Sequence, residues 1–350
     1  MSVNDVVEVR VPVQIDSIVD LAPVANDRTW LVLDQTGRIG RWNIQTGAYE
    51  HLAHSTVPNE EGRAPWNGRS VRRRLHTCVD ATFAAVVNDY ARFGEVIDLR
   101  SGRVTMTLDN HGYHEETVPF SLAFTRHVGQ IVVIHRTEWN RLDASIAATG
   151  QSLTDRSPTF HGQDEPRPEH YLDYFHGALY LSPDGQRILD DGWIWHPVGF
   201  PAVWSVERWL TDNVWESEDG PSRTDVCGRE YYWDQAMTWI DSVRVAVEGV
   251  GDDADDIQPG ARIFDTTRLG SGGQWRLPTA VELGSFPAAT GRFFSDGIHL
   301  FTSDAVGLHI WNLADGTRLT TLHGFSPTHH HRSGRQLLQL ADTTVRIWTY

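Results

Sequence analysis

The sequence predicts an all-β fold assembled from one repeated four-stranded unit, and three observations carry that prediction. The first is the stretch 293–325. Its β-branched and aromatic runs are split by Ser295-Asp296-Gly297, Ala305-Val306-Gly307 and Ala314-Asp315-Gly316, which are tight-turn signals. The second is recurrence. A third strand can be followed through Arg41-Trp42-Asn43, Val96-Ile97-Asp98, Arg141-Leu142-Asp143, Val203-Trp204-Ser205, Ile263-Phe264-Asp265, Ile310-Trp311-Asn312 and Ile347-Trp348. These seven marks are separated by 55, 45, 62, 60, 47 and 37 residues, against ~40–45 for a propeller blade. The third is complementarity of the two ends. The last unit stops after its third strand at Tyr350, and the alternating segment Val6–Val13 precedes the first full unit. One can supply the strand the other lacks. The expectation is a single seven-bladed β-propeller over residues 1–350, closed by the N-terminal strand pairing with the last blade. Such closure leaves no open sheet edge.

In order, residues 6–13 form the closing strand. The blades span 14–52, 72–109, 117–153, 175–210, 232–283, 288–323 and 326–350. Turns after the third strand are short where they can be read: Gln45-Thr46-Gly47, Arg100-Ser101-Gly102, Ala148-Thr149-Gly150. Ser182-Pro183-Asp184-Gly185 is an equally tight turn after a first strand, with glycine supplying the positive φ. Length accumulates instead in Ala53–Arg74, Asp155–Tyr174 and Thr211–Tyr231 between blades, and in Gly249–Gly260 inside blade five. Strands alternate in direction, so the long links are expected on one elaborated face and the tight turns on a plain one. Loops on a rigid scaffold carry function more often than the scaffold does.

Blade six, with Ile310-Trp311-Asn312 standing where Trp-Asp is usual, resembles a blade of the WD-repeat (WD40-like) β-propeller family. The resemblance extends over nearly the whole chain, with blades three to five departing from pattern, as at Asp143 and Ser205. It implies a binding platform without catalysis of its own, engaging a protein or peptide partner through the top face and channel mouth. The alternative is a small-molecule enzyme (a lyase, cyclase or hydrolase) with its site at the mouth of the central channel. No catalytic residue can be assigned.

Composition narrows the partners. A net charge of −16 argues against nucleic acid, whose phosphates need a basic field. All 30 basic residues are arginine, which removes Schiff-base and lysine-modification chemistry and suggests a GC-rich, bacterial coding genome. Cys78 and Cys227 are too few for a disulfide framework and are expected as free thiols. No leader-like start or long apolar run is visible. The expectation is a cytoplasmic monomer without membrane contact.

The candidate binding residues lie in the long links. Trp215, Glu216, Tyr231, Tyr232, Trp233 and Asp234 combine rings with carboxylates, which suits a cationic or amphipathic ligand. His196 sits in the Pro-pinned link 193–201, whereas Trp193, Trp195, Trp204 and Trp209 read as packing residues. Arg63, Arg69, Arg72, Arg73 and Arg74 form the basic cluster. They can clamp a phosphate or carboxylate, or pair with acidic loops on the same face. His111 and His114, beside Glu115 and Glu116, can act as a base with its orienter or lie in a solvated turn. Asp252, Asp253, Asp255 and Asp256 read as a solvated acidic tip. His76, His176, His329 and His331 are channel-lining candidates, with His330 on the opposite side of its strand from His329 and His331. Cys-x-x-Cys and His-Glu-x-x-His spacings are absent, so no metal and no cofactor is expected.

Overall fold

The chain turns at the end of a third strand because the residue there accepts backbone hydrogen bonds. Asn43 Oδ1 accepts from the N–H groups of Gln45 and Thr46, each at 3.0 Å. Asp98 accepts from Arg100 at 2.9 Å and Asn312 from Ala314 at 3.0 Å. Asn and Asp side chains do this better than other residues. The computed structural model describes residues 5–25, 28–61, 69–162, 164–270 and 279–350. They form a seven-bladed β-propeller of small antiparallel sheets.

Blade one comprises Ile18–Val24, Thr29–Asp34, Arg38–Asn43 and Tyr49–His54, and blade two Arg72–Thr77, Phe83–Asp89, Phe93–Asp98 and Arg103–Asp109. Blade three has Leu122–His127, Gln130–Glu138 and Arg141–Ile146, with only a single bridge, Ser145 to Ser152, in the fourth position. Blade four has Phe175–Leu181, Arg187–Ile194, Ala202–Ser205 and Thr224–Asp225, extended at one end by Val198–Gly199 and Arg229–Glu230. Blade five is Met237–Trp239, Arg244–Val250, Gln258–Leu269 and Ala280–Pro287, and blade six is Arg292–Ser295, His299–Ser303, Gly307–Asn312 and Arg318–His323. Blade seven takes His329–His331, Gln336–Leu340 and Thr344–Thr349, then Val7–Arg10 from the far end of the chain. The closing register pairs Val7 with Ile347 and Arg10 with Thr344.

Each blade presents its edge to the central channel, so its two faces pack against the neighbouring blades. Trp30 and Trp42 are fully buried and share a cluster with Leu338, Val345 and Ile347 of blade seven. Ala85 and Val87 of blade two meet Phe120, Leu122 and Val133 of blade three. Burying one such side chain contributes about 1.5–3 kcal/mol, and seven interfaces of this kind hold the ring. Both cysteines are buried free thiols. Among the described residues no helix is long and apolar enough to cross a membrane.

Two local departures from the expected pattern have physical causes. In blade three the residue at the turn is Ile146, whose carbonyl accepts from Gly150 N–H at 2.8 Å, as Asn43 accepts from Gly47 at 2.9 Å. The mark Arg141-Leu142-Asp143 is therefore the start of that strand and not its end. In blade four Ser205 accepts from Arg208 N–H at 3.3 Å and caps a helix, Val206–Thr211. A hydroxyl in the N-cap position favours a helix where Asn or Asp elsewhere makes a turn. The segment 206–223 is thus an insertion between the third and fourth strands. It leaves beside the Ser182–Gln186 turn, on the face expected to be plain.

Candidate functional site

Alternation along the inner strand of blade two sorts its residues. Arg73 and Leu75 turn to blade one, where Arg73 donates to Val57 O and Asn59 Oδ1 at 3.1 and 2.5 Å. Arg72 and Arg74 turn the other way and share one carboxylate oxygen, Asp89 Oδ2, at 3.2 and 3.4 Å. Asp89 is fully buried, and its other oxygen accepts from Phe120 N–H at 3.1 Å. Burial penalises the Arg74 cation, but Asp89 and Asp20 more than offset that, so its pKa lies above the ordinary arginine value.

Arg292 joins them from blade six. Arg72 pairs with Asp89 and Arg292 with Ser303, each the last residue of a second strand, so the two arginines occupy the same place in the repeat. Gly291 delivers Arg292 there with φ of 88°. A Cβ at Gly291 would meet Ser303 O at 2.2 Å, and its N–H donates to Glu248 Oε1 at 3.1 Å. Burial first, then the Arg72 and Arg74 cations, lower the Arg292 pKa.

These residues line the channel, which has a deep chamber of about 630 Å3 and an outer mouth of about 650 Å3. Tyr180, Phe293 and Phe294 line both. Arg69 reaches from the approach to blade two to Asp234 before blade five, pairing with its carboxylate and donating to its backbone carbonyl. Tyr90 O–H donates to the same carboxylate at 2.8 Å. Burial raises the Asp234 pKa. Arg69, Arg72, Arg74 and Asp234 are thereby brought together, while Arg63 lies outside the described residues.

The histidines distribute differently from the expectation. His76 lines the chamber, and burial followed by Arg74 lowers its pKa to about 4. His329 lines it as well, with Nε2 2.8 Å from Asp20 Oδ1. His330 also reaches the chamber, and burial, then Arg332, lowers its pKa to about 3. His331 is instead buried edge-on to Trp30, with ring centroids 5.3 Å apart. His176 is fully buried, with Nδ1 2.5 Å from Asp190 Oδ2. Alternate residues of an inner strand face the two neighbouring blades, and the channel sees only its edge. Among the described residues no three His, Cys, Asp or Glu side chains form a metal-ligand group.

A second constellation lies on the loop-rich face between blades two, three and four. Trp193 stacks on Phe175 at 4.3 Å and on Trp233 at 4.8 Å, and Trp233 Nε1–H donates to Thr117 O at 3.1 Å. Trp233 is therefore core. Above it, Tyr113, Trp195 and Tyr231 are 48, 44 and 64 % exposed, and the His114 ring bridges Tyr113 and Trp195 at 4.7 and 5.0 Å. His111 Nε2 lies 3.9 Å from Glu138, whose pKa is raised by burial, as is that of Asp173. His196 is exposed beside Trp195. Tyr232 is half-buried with Arg229 5.2 Å from its ring, and burial pushes its pKa up to about 12.

Trp215 and Glu216 are not on this face. Trp215 stacks on His170 at 4.2 Å, with Arg156 5.4 Å from its ring. Glu216 is fully buried, accepting from Ser222 N–H at 2.7 Å and Asn213 Nδ2 at 3.1 Å. Both belong to the outer flank formed by the blade-four insertion.

No known family model matches the chain, and no curated protein matches it. Arg292, Tyr180 and Tyr90 escaped the sequence reading.

Behind the mouth, Asp191 is buried with Arg229 Nη2 at 3.7 Å. Burial outweighs Arg229 and, with Asp234 and Asp190, pushes its pKa up to about 8. In the unfolded chain the carboxyl ionises near ~3.9. Between these values the unfolded state releases a proton that the folded state keeps, so stability falls as pH rises through that window. Asp191 alone contributes a slope of about 1.4 kcal/mol per pH unit there. Asp191→Asn is expected to flatten the pH dependence of unfolding between pH 5 and 8. Equal slopes for the two proteins would refute the assignment.

Proposed function

We propose that the chain is a WD-repeat-like cytoplasmic binding platform that acts as a monomer and engages a protein or peptide partner through its loop-rich face. The observation that carries this reading is the exposed aromatic trio Tyr113, Trp195 and Tyr231. Tyr113 and Trp195 rest on the stacked Phe175–Trp193–Trp233 column, and Tyr231 is tied by its N–H to Pro197 O at 2.8 Å. Rings held on a rigid base bind without much loss of conformational freedom, and such anchors dominate interface energy. Glu138 and Asp173 lie in the same region, and burial raises the pKa of each by withholding water from the charged form, so an arriving cation would supply the counter-charge that solvent does not. The fitting partner segment presents an arginine or lysine side chain to these rings.

The test is a peptide array of arginine-containing and neutral sequences probed with the full chain. Trp195→Ala and Tyr231→Ala are expected to weaken retention of arginine peptides by tenfold or more, about 1.4 kcal/mol or above, with unchanged melting temperature. Trp215→Ala should do the reverse, lowering the melting temperature and leaving retention per folded molecule intact. Loss of retention only in proportion to folded protein would reject the platform reading.

A further inference from the structure

The channel arginines are under-neutralised. Arg72 and Arg74 share a single oxygen of Asp89, and the second oxygen is occupied by Phe120 N–H. Asp20, the next carboxylate of the chamber, is held by Leu75 N–H at 2.7 Å and by His329. Among the described residues the Arg292 guanidinium has no hydrogen bond or ion pair, and the Tyr180 hydroxyl has no hydrogen bond. Counted in the deep chamber alone, three guanidiniums face two carboxylates, Asp89 and Asp20. Glu248 and Asp304 line the outer mouth, where among the described residues Glu248 accepts from the Ala236 and Gly291 N–H groups and Asp304 pairs with His309, and neither pairs with a channel arginine. Arg69 does not alter this sum, since Asp234 neutralises it.

Shape agrees with charge. A chamber of about 630 Å3 falls within the ~300–1,000 Å3 of small-molecule sites. Its wall below the arginines includes the partly exposed rings of Tyr180 and Phe294. Arginine forks match the flat oxygen pairs of carboxylate and phosphate groups and grip them by charge-assisted hydrogen bonds.

We propose that the central channel binds a small organic anion. Its carboxylate or phosphate sits among Arg72, Arg74 and Arg292, and its apolar body lies against Tyr180 and Phe294. The Tyr180 O–H donates to the same anionic group. This site is distinct from the aromatic trio and stands whether or not that surface binds a peptide.

Calorimetric titration of the full chain at low salt tests it with three probes: phenyl phosphate, benzoate and inorganic phosphate. Saturable binding of phenyl phosphate or benzoate is expected, weakening as salt rises. The stronger of the two identifies the head group. Inorganic phosphate is expected to bind more weakly than phenyl phosphate, because it has no apolar body. Arg292→Gln is expected to weaken binding at least tenfold without lowering the melting temperature, because that side chain holds no other part of the protein. Tyr180→Phe, which removes one unused hydroxyl, is expected to weaken it severalfold and serves if the arginine variant folds poorly. Failure of both aromatic anions to bind below about 1 mM, or equal binding by wild type and both variants, overturns the proposal.

Discussion

Replacing Arg156 by alanine lowers folding stability by an expected ~3–5 kcal/mol, read by denaturant unfolding. The guanidinium is buried and joins two carboxylates, Asp143 at 2.7 Å and Glu218 at 2.5 Å. It also donates to Leu142 O at 2.8 Å and Thr154 O at 2.9 Å. Asp143 retains Arg141 at 2.8 Å after the substitution. Among the described residues Glu218, with no solvent exposure of its side chain, retains only the Ser217 hydroxyl at 2.9 Å. An ion left in that position costs more than the pair ever contributed. Adding Glu218→Gln to the alanine variant removes the stranded charge and is expected to recover part of the loss. A loss under about 1 kcal/mol for Arg156→Ala, the value of an exposed pair, would show that water reaches the site and that the flank is not clamped there.

Removing residues 1–13 is the second large perturbation. The strand Val7–Arg10 is paired along its length with Thr344–Ile347, and Val11 N–H continues the ladder to Thr343 O at 3.1 Å. At about 1 kcal/mol net per hydrogen bond, with the lost contacts of Val9 and Val11 on the blade-one and blade-seven cluster, the cost is roughly 3–5 kcal/mol. The bare Thr344–Thr349 edge also becomes a template for other chains. The truncated protein should unfold earlier and self-associate, and a peptide of residues 5–13 added in trans should reverse both effects. A truncated chain that stays monomeric with unchanged unfolding would show that the ring does not depend on this strand.

The ring and its closure were legible because turn chemistry is local. Asn43, Asp98 and Asn312 announce their turns within a few residues of sequence, and the alternation of Val7, Val9 and Val11 announces a strand. Blade four was not legible in the same way. Ser205 serves equally as a turn residue and as a helix cap, and only the tertiary position of 206–223 against Arg156 decides between them. Read as a link between blades, that segment put Trp215 and Glu216 among the loop-face candidates; in the fold they lie on the outer flank, with Trp215 beside His170 and Arg156. The channel failed for another reason. Its lining comes from strand edges in separate blades, so Arg72 and Arg292 meet although nothing near either in sequence points to the other. The histidine triplet shows the same limit: period-two alternation correctly separates His330 from His329 and His331, but the directions are set by neighbouring blades.

The pairing of Val7 with Ile347 also sets a clock. The two positions are 340 residues apart (347 − 7), so on a ribosome adding ~5–20 residues per second the first strand waits roughly 20–70 s for its partner. Ring closure therefore cannot precede synthesis of the Thr344–Thr349 strand, and for that interval a strand-forming segment stands without its partner. Glu8 and Arg10, placed between the valines, are suited to that wait, because charges on an unpaired strand discourage it from joining the wrong chain.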